Sequence, residues 1–255
     1  GKKGDRLSFV LEDSTPAFAN ALRRIMTSEV PTMAIDWVEM RENNSALFDE
    51  VIAHRLGMVP LVFDPKKFNF ADDCECEGKG CPLCQVVFAL EKTGPATVYS
   101  GDMKSSNREV KPVSPDFPIA ELLKGHTMKF EAVARLGLGI KHGKFQAANV
   151  AYQYMPQIKL KEGASASDFS KGVRACPKGA LSMRGSKPVV DPELCMFSKS
   201  CESASGGAIR MEGVPTSFIF RVESVSGLDP DYIVQKAADV LESKAAEFKK
   251  GLKEL

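Results

Sequence analysis

Two prolines fence the stretch that most constrains this fold, Asp13–Pro31 (DSTPAFANALRRIMTSEVP). Thr15 is a natural N-cap, and Pro16 suits the first helical position, where its missing N–H costs no hydrogen bond. Phe18, Ala21, Leu22, Ile25 and Met26 follow at helical spacing and make one apolar stripe, with Arg23 and Arg24 largely off it. Pro31 ends the helix, because the residue before a proline is pushed out of the α region. The helix feeds a strand-like run, Met33–Met40, that carries the only tryptophan. This pair founds a domain, and the middle of the chain reads as a set of insertions into it.

Elsewhere strand-like runs alternate with breaks. Leu7–Leu11 has strand composition. Ser45 is a candidate cap for a second helix through Leu56, with Leu47, Val51, Ile52 and Leu56 inward and Gly57 at its end. His54 reads as a partly exposed helix histidine, since no cysteine or acidic cluster stands at ligand spacing from it. Strands are expected at Gln85–Leu90, Ala96–Ser100 and Met128–Leu136, the last long enough to be a helix instead. A further strand, Val150–Met155 and Gln157–Leu160, contains a proline interruption. Ser105–Pro118 reads as an irregular surface connection, Ile119–Lys124 as one helical turn, and Lys161–Gly172 as a linker. Thr216–Glu223 alternates as a strand.

The last helix is the best marked. Asp229 is its N-cap, Pro230 its first residue, and Leu228 is placed to staple onto Ile233. Its stripe of Ile233, Ala237, Val240, Leu241, Ala245, Phe248 and Leu252 implies about 25 residues and nearly 40 Å of helix. That exceeds what a small domain needs for its own core. Two readings follow: a core-packing terminal helix, or one that buries part of its stripe against another chain.

The 255 residues allow one large domain or two to three small ones. A net charge of +1 provides no global field for gathering nucleic acid or an anionic membrane, so any polyanion contact would need a local patch. No apolar run approaches the roughly 20 residues that span a bilayer, and the opening GKKGDRLSFV lacks the apolar segment of a secretory signal. Seven cysteines, four of them between positions 74 and 84, favour metal ligation in a reducing compartment over a disulfide framework. A cytoplasmic protein is expected.

Cys74-x-Cys76-x4-Cys81-x2-Cys84 places four thiols in a loop that contains Gly78 and Gly80. Four thiolates bind zinc tetrahedrally and leave no open position for water or substrate, so such a site is structural. Free thiols or an iron–sulfur cluster are the alternatives. Asp72, Asp73, Glu75 and Glu77 make the loop acidic, which argues against gripping nucleic acid. The second group is Cys176-Pro177, then Cys195-x2-Ser198-x2-Cys201. It resembles a ferredoxin cluster-binding pattern, in which three cysteines at x2 spacing and a distant Cys-Pro hold one cubane. Ser198 holds the middle ligand position and Ser205 stands where the other Cys-Pro belongs. Gly172, Phe169 and Ala166 occupy the ligand positions of a second cluster. Cys176, Cys195 and Cys201 would suit a three-iron cluster, or a four-iron one completed by a serine oxygen. A vestigial site with free thiols or one disulfide is the alternative.

Three segments agree in order and spacing with one family. Phe18-Ala19-Asn20-Ala21-Leu22-Arg23-Arg24-Ile25, Ser28-Glu29-Val30-Pro31, and the run from Asn44 to Leu61 (NSALFDEVIAHRLGMVPL) resemble the assembly domain of RNA polymerase α-like subunits. The likeness extends over essentially the whole chain. With a zinc loop in the middle insertion and a ferredoxin-like one near the C-terminus, it points to the archaeal branch of those α-like subunits. That branch is related to the eukaryotic third-largest subunit and to bacterial α.

The resemblance implies an α+β fold built around a discontinuous dimerisation domain, residues 1–45 and 211–255. A mainly-β insertion, 46–160, would carry zinc on Cys74, Cys76, Cys81 and Cys84. A ferredoxin-like α+β insertion, 161–210, would carry a [3Fe-4S] or [4Fe-4S] cluster on Cys176, Cys195 and Cys201. It also implies pairing with a small α-like partner, the archaeal subunit L, through Phe18, Leu22 and Ile25 of the first helix and Ile233, Val240, Leu241, Phe248 and Leu252 of the last. Assembly with subunits N and P and the second-largest catalytic subunit would follow, with DNA met only through the assembled enzyme. No clustered carboxylates for two-metal nucleotidyl transfer stand in the sequence. The expected role is therefore a non-catalytic assembly subunit of a nucleotidyltransferase. A ferredoxin-like redox or electron-transfer protein is the rival reading, and a zinc-dependent nucleic-acid binder a second one.

Overall fold

The computed structural model describes residues 1–254. Its elements run β1 (Lys2–Lys3), β2 (Arg6–Leu11), α1 (Pro16–Ser28), β3 (Thr32–Asn43), α2 (Asp49–Gly57), β4 (Leu61–Val62), β5 (Gln85–Thr93), β6 (Ala96–Tyr99) and β7 (Lys104–Ser105). Next come β8 (Lys111–Pro112), β9 (Pro118–Leu122), β10 (Thr127–Gly137), β11 (Ala148–Leu160), α3 (Ala166–Arg174), β12 (Leu181–Arg184), β13 (Lys187–Val190), α4 (Ser200–Ala204), β14 (Ile209–Ser224) and α5 (Pro230–Gly251). The architecture is mixed α/β. Two four-stranded sheets have the orders β1-β2-β14-β11 and β3-β10-β5-β7, and β12-β13, β4-β8 and β6-β9 form two-stranded ladders. The chain divides into two compact units. One holds Gly1 with residues 8–21 and 151–221, and the other holds 2–7, 22–150 and the chain from 222 onward.

In the larger unit β10 is the central strand, antiparallel to both β3 and β5. Met128, Phe130, Ala132 and Ala134 are buried while Lys129 and Glu131 are exposed, a period of two that a helix would scatter around its circumference. This decides for strand over helix in Met128–Leu136. α2 packs against β3 and β9, with Ile52 and Leu56 fully buried. Arg55 Nη1 donates to the Ile119 carbonyl at 2.7 Å. The Ile119–Lys124 stretch is not a helical turn: Pro118–Leu122 pairs with β6, Val98 opposite Ala120. Ser45 does not cap α2 either. Its hydroxyl donates to Asn43 Oδ1 at 2.6 Å and accepts from the Leu47 N–H, closing a turn, and the helix begins only at Asp49. Val51, expected inward, is exposed.

α1 and α5 follow their sequence signals. Thr15 Oγ1 accepts from the Phe18 N–H at 3.2 Å, and Ala19, Leu22, Ile25 and Met26 are buried. Asp229 Oδ1 accepts from the Asp231 N–H at 2.9 Å, with Leu228, Ile233 and Ala237 buried. Lys2 Nζ donates to both Asp229 and Asp231.

In the smaller unit Phe9 stacks on Phe220 at 5.0 Å and Tyr152 meets Phe218 edge-on at 5.6 Å. Pro156 does not interrupt its strand. β11 is an edge strand, where a residue without an N–H costs no ladder bond on the open side. Lys161–Gly172 is not a plain linker. Ser165 and Asp168 form a capping box, and α3 starts at Ala166. Phe169, Leu181, Cys201, Ala208 and Ile209 make a small core between α3, α4 and the β12–β13 hairpin.

Candidate metal centres and partner surface

The Cys74–Cys84 loop curls because Glu77, Gly78 and Gly80 adopt φ of 54°, 73° and 93°. Tight turns close on either side, with Glu77 N–H donating to the Cys74 carbonyl at 2.8 Å and Cys84 N–H to that of Cys81 at 3.0 Å. The result is four sulfurs within 4.8 Å of one another. Cys74 and Cys81 are 3.5 Å apart at Sγ, Cys76 and Cys84 3.5 Å, and Cys81 and Cys84 3.9 Å. A tetrahedron with metal–sulfur bonds of about 2.3 Å has edges of about 3.8 Å. The set can therefore bind a metal ion and is compatible with zinc.

Backbone N–H groups aim at the sulfurs. That of Gly80 points at Cys76, that of Cys76 at Cys74, and that of Cys81 at Cys84 Sγ at 3.4 Å. At Cys76 burial opposes ionisation, but the Gly80 N–H and the three neighbouring thiols outweigh it and hold the group at about 6. At Cys74 the Cys76 N–H pulls down, while burial and the thiols of Cys81, Cys76 and Cys84 push the group up to about 12. Cys76 therefore ionises ahead of Cys74 and Cys84.

Cys176, Cys195, Cys201 and Ser198 line one shallow pocket of about 10 Å³, partly open to solvent. Burial pushes the Cys201 thiol up, against the Glu202 N–H, and the charges of Cys176 and Cys195 add to the rise. Sheet residues hold the Cys195 segment. Gln153 Nε2 donates to the carbonyls of Pro192 and Cys195, both at 3.1 Å, and Arg221 Nη2 to that of Glu193 at 2.8 Å. No local spacing signals Gln153 or Arg221, because they reach the site only through the fold. Ser205 has become structural: its Oγ accepts from the Ile209 N–H at 3.0 Å. Phe169 fills the core and Gly172 lies against the Cys201 carbonyl, where a Cβ would stand 2.9 Å away.

The interface expected along two helices is divided. Leu22, Ile25 and Ile233 lie in this chain's own core, Ile233 at 0% exposure, and offer no surface to a second chain. Val240 and Leu241 are half-buried. Phe18, Phe248 and Leu252 are exposed, at 45%, 70% and 56%. Among the described residues no helix is long and apolar enough to cross a membrane.

The RNA polymerase Rpb3/RpoA insert domain matches residues 38–157. The DNA-directed RNA polymerase subunit Rpo3 of Archaeoglobus fulgidus is 37% identical over 256 residues, which cover all of this chain and 96% of that protein. The subunit of the same name from Methanothermobacter thermautotrophicus is 40% identical over 252 residues, 96% of this chain and 94% of that one. The Pyrococcus horikoshii protein is 39% identical over 250 residues, 97% and 93% of the two chains.

Proposed function

Because the chain belongs to the archaeal Rpo3 family of DNA-directed RNA polymerase subunits, we propose that it is the α-like assembly subunit of its enzyme. It serves the nucleotidyltransferase complex as a scaffold. Its work is to present surfaces, first to a small α-like partner of the subunit L kind, then to subunits N and P and the second-largest catalytic subunit. DNA is met through the assembled enzyme, in the cytoplasm. Residues 1–45 and 211–255 make the dimerisation domain, 46–160 and 161–210 the two insertions.

One observation carries the partner surface. Ala237 is the last buried residue of α5, yet the helix continues to Gly251, about four turns further. A helix in water is stable mainly by burying an apolar face, and Phe248 and Leu252 have no cover among the described residues. The partner face of α5 is therefore Val240, Leu241, Phe248 and Leu252, and Phe18 is the exposed apolar residue that α1 offers. Co-purification with the small α-like subunit tests it. The double variant Phe248→Glu/Leu252→Glu should lose the partner while its circular dichroism stays that of wild type, and retention of the partner would overturn the reading.

Cys74, Cys76, Cys81 and Cys84 would hold zinc, which supplies cross-linking and no reaction chemistry. The second pocket offers three sulfur donors and one hydroxyl around one space, a set that suits a three-iron cluster in a ferredoxin-like insertion. The free-standing redox reading fares worse, since the full length of the chain matches polymerase subunits.

A further inference from the structure

The geometry points to Gln85 and Arg135 as positioning residues for the tetrathiolate site, a pair that braces Gly80 and supplies the centre's counter-charge. This inference rests on the metal reading of the four thiols. Gln85 and Arg135 face each other across β5 and β10, 50 positions apart in sequence. Arg135 Nη2 donates to Gln85 Oε1 at 2.9 Å. The other face of that amide lies on Gly80: a Cβ added there would stand 2.5 Å from Gln85 Nε2 and 2.6 Å from Cδ and Oε1. Gly80 in turn is bonded directly to Cys81, one of the four thiols, whose N–H donates to Cys84 Sγ at 3.4 Å. An unbroken series of contacts thus runs from the sheet to a metal ligand, and outer contacts of this kind fix ligand orientation.

The charge balance points the same way. Arg135 is half-buried and its Nε is buried with no hydrogen-bond partner among the described residues. Its side-chain partner is a neutral amide, not a carboxylate. A covered cation without a counter-ion is unfavourable. A dication on four thiolates leaves a net charge of about −2. The loop's own charged neighbours, Asp72, Asp73, Glu75 and Glu77, are all acidic save Lys79, which is paired to Glu77 at 3.0 Å. Arg135, held on Gln85, is the sheet's cation behind Gly80, and Arg108 lines the same hollow as Gly80, Cys81 and Gln85.

The test uses the full chain, with Zn²⁺ affinity measured by competition against a chromophoric chelator and with the absorption of the Co²⁺-loaded form. Arg135→Gln and Gln85→Leu should each weaken Zn²⁺ binding roughly tenfold to a hundredfold and shift the Co²⁺ bands. Arg135→Lys, which keeps the charge without the fork, should recover part of the loss. Any loss of melting temperature in the variants should be larger with metal than without it. The proposal is overturned if both variants match wild-type affinity and spectrum, or if they lower melting equally with and without metal. A wild-type chain that takes up no Zn²⁺ and gives no tetrahedral Co²⁺ spectrum overturns the metal reading itself, and this inference with it.

Discussion

Lys244 of α5 is ion-paired with Glu29, the residue that follows α1. The lysine is half-exposed and the carboxylate mostly covered, so the pair is worth at most about 1 kcal/mol. Beyond Lys244 every described residue of α5 is exposed. The pair marks where the helix stops belonging to this chain's own packing.

Substitutions on the two sides of that mark should differ in kind. Ile233→Ala empties a fully buried position and should cost about 2–5 kcal/mol in urea unfolding. Phe248→Glu should stay within about 0.5 kcal/mol of wild type, while partner capture in the same preparation falls away.

Gly227, just before α5, should refuse any side chain. A Cβ there would stand 2.0 Å from the Leu61 carbonyl oxygen. Gly227→Ala must move backbone and should cost about 1–3 kcal/mol, read as a lower denaturation midpoint at unchanged slope.

The start of α3 should be acid-labile. The Ser165 hydroxyl, followed by Lys171 and the Ser165 N–H, holds Asp168 below its usual range. A depressed carboxylate stabilises the fold above its unfolded pKa, and that contribution is lost as pH falls through the folded value. Protection of the α3 amides against exchange, corrected for the intrinsic rate, should therefore fall below about pH 4. Ser165→Ala should cost about 1 kcal/mol at neutral pH, and an unchanged exchange profile in that variant would refute the cap.

Anaerobic purification should yield iron and sulfide with this chain, in the three-iron ratio. Ser198→Cys should convert the paramagnetic signature to that of a four-iron cluster after reconstitution. A wild-type chain free of iron and sulfide would leave the second pocket as three thiols and no cofactor.

Legibility followed the range over which each signal acts. Thr15-Pro16 and Asp229-Pro230 mark helix starts through atoms only a few residues apart, and both helices begin there. The four thiols of the first loop lie within one turn-rich segment, so their spacing foretold their convergence. The Ser165–Asp168 box was equally local, but the Gly, Ala and Ser around it imitate a linker. Ile119–Leu122 is a short apolar run that periodicity cannot assign, and only its pairing with β6 settles it. Along α1 and α5 the apolar stripe was legible, but not which part of it faces inward. Leu22, Ile25 and Ile233 differ from Phe248 in what surrounds them, and that is decided by residues far away in the chain. Arg135 carries no local mark at all.

The bare outer turns of α5 have a bearing on supply. A segment of about four turns is below the length at which an isolated helix holds itself together in water. In an unmated copy of this chain it should fray, exchange its amides fast and be cut first by a protease, whereas docking would silence all three. A cell that makes too much of this chain would then clear the excess beginning at these turns. The stoichiometry of the complex would be policed at the end of one helix.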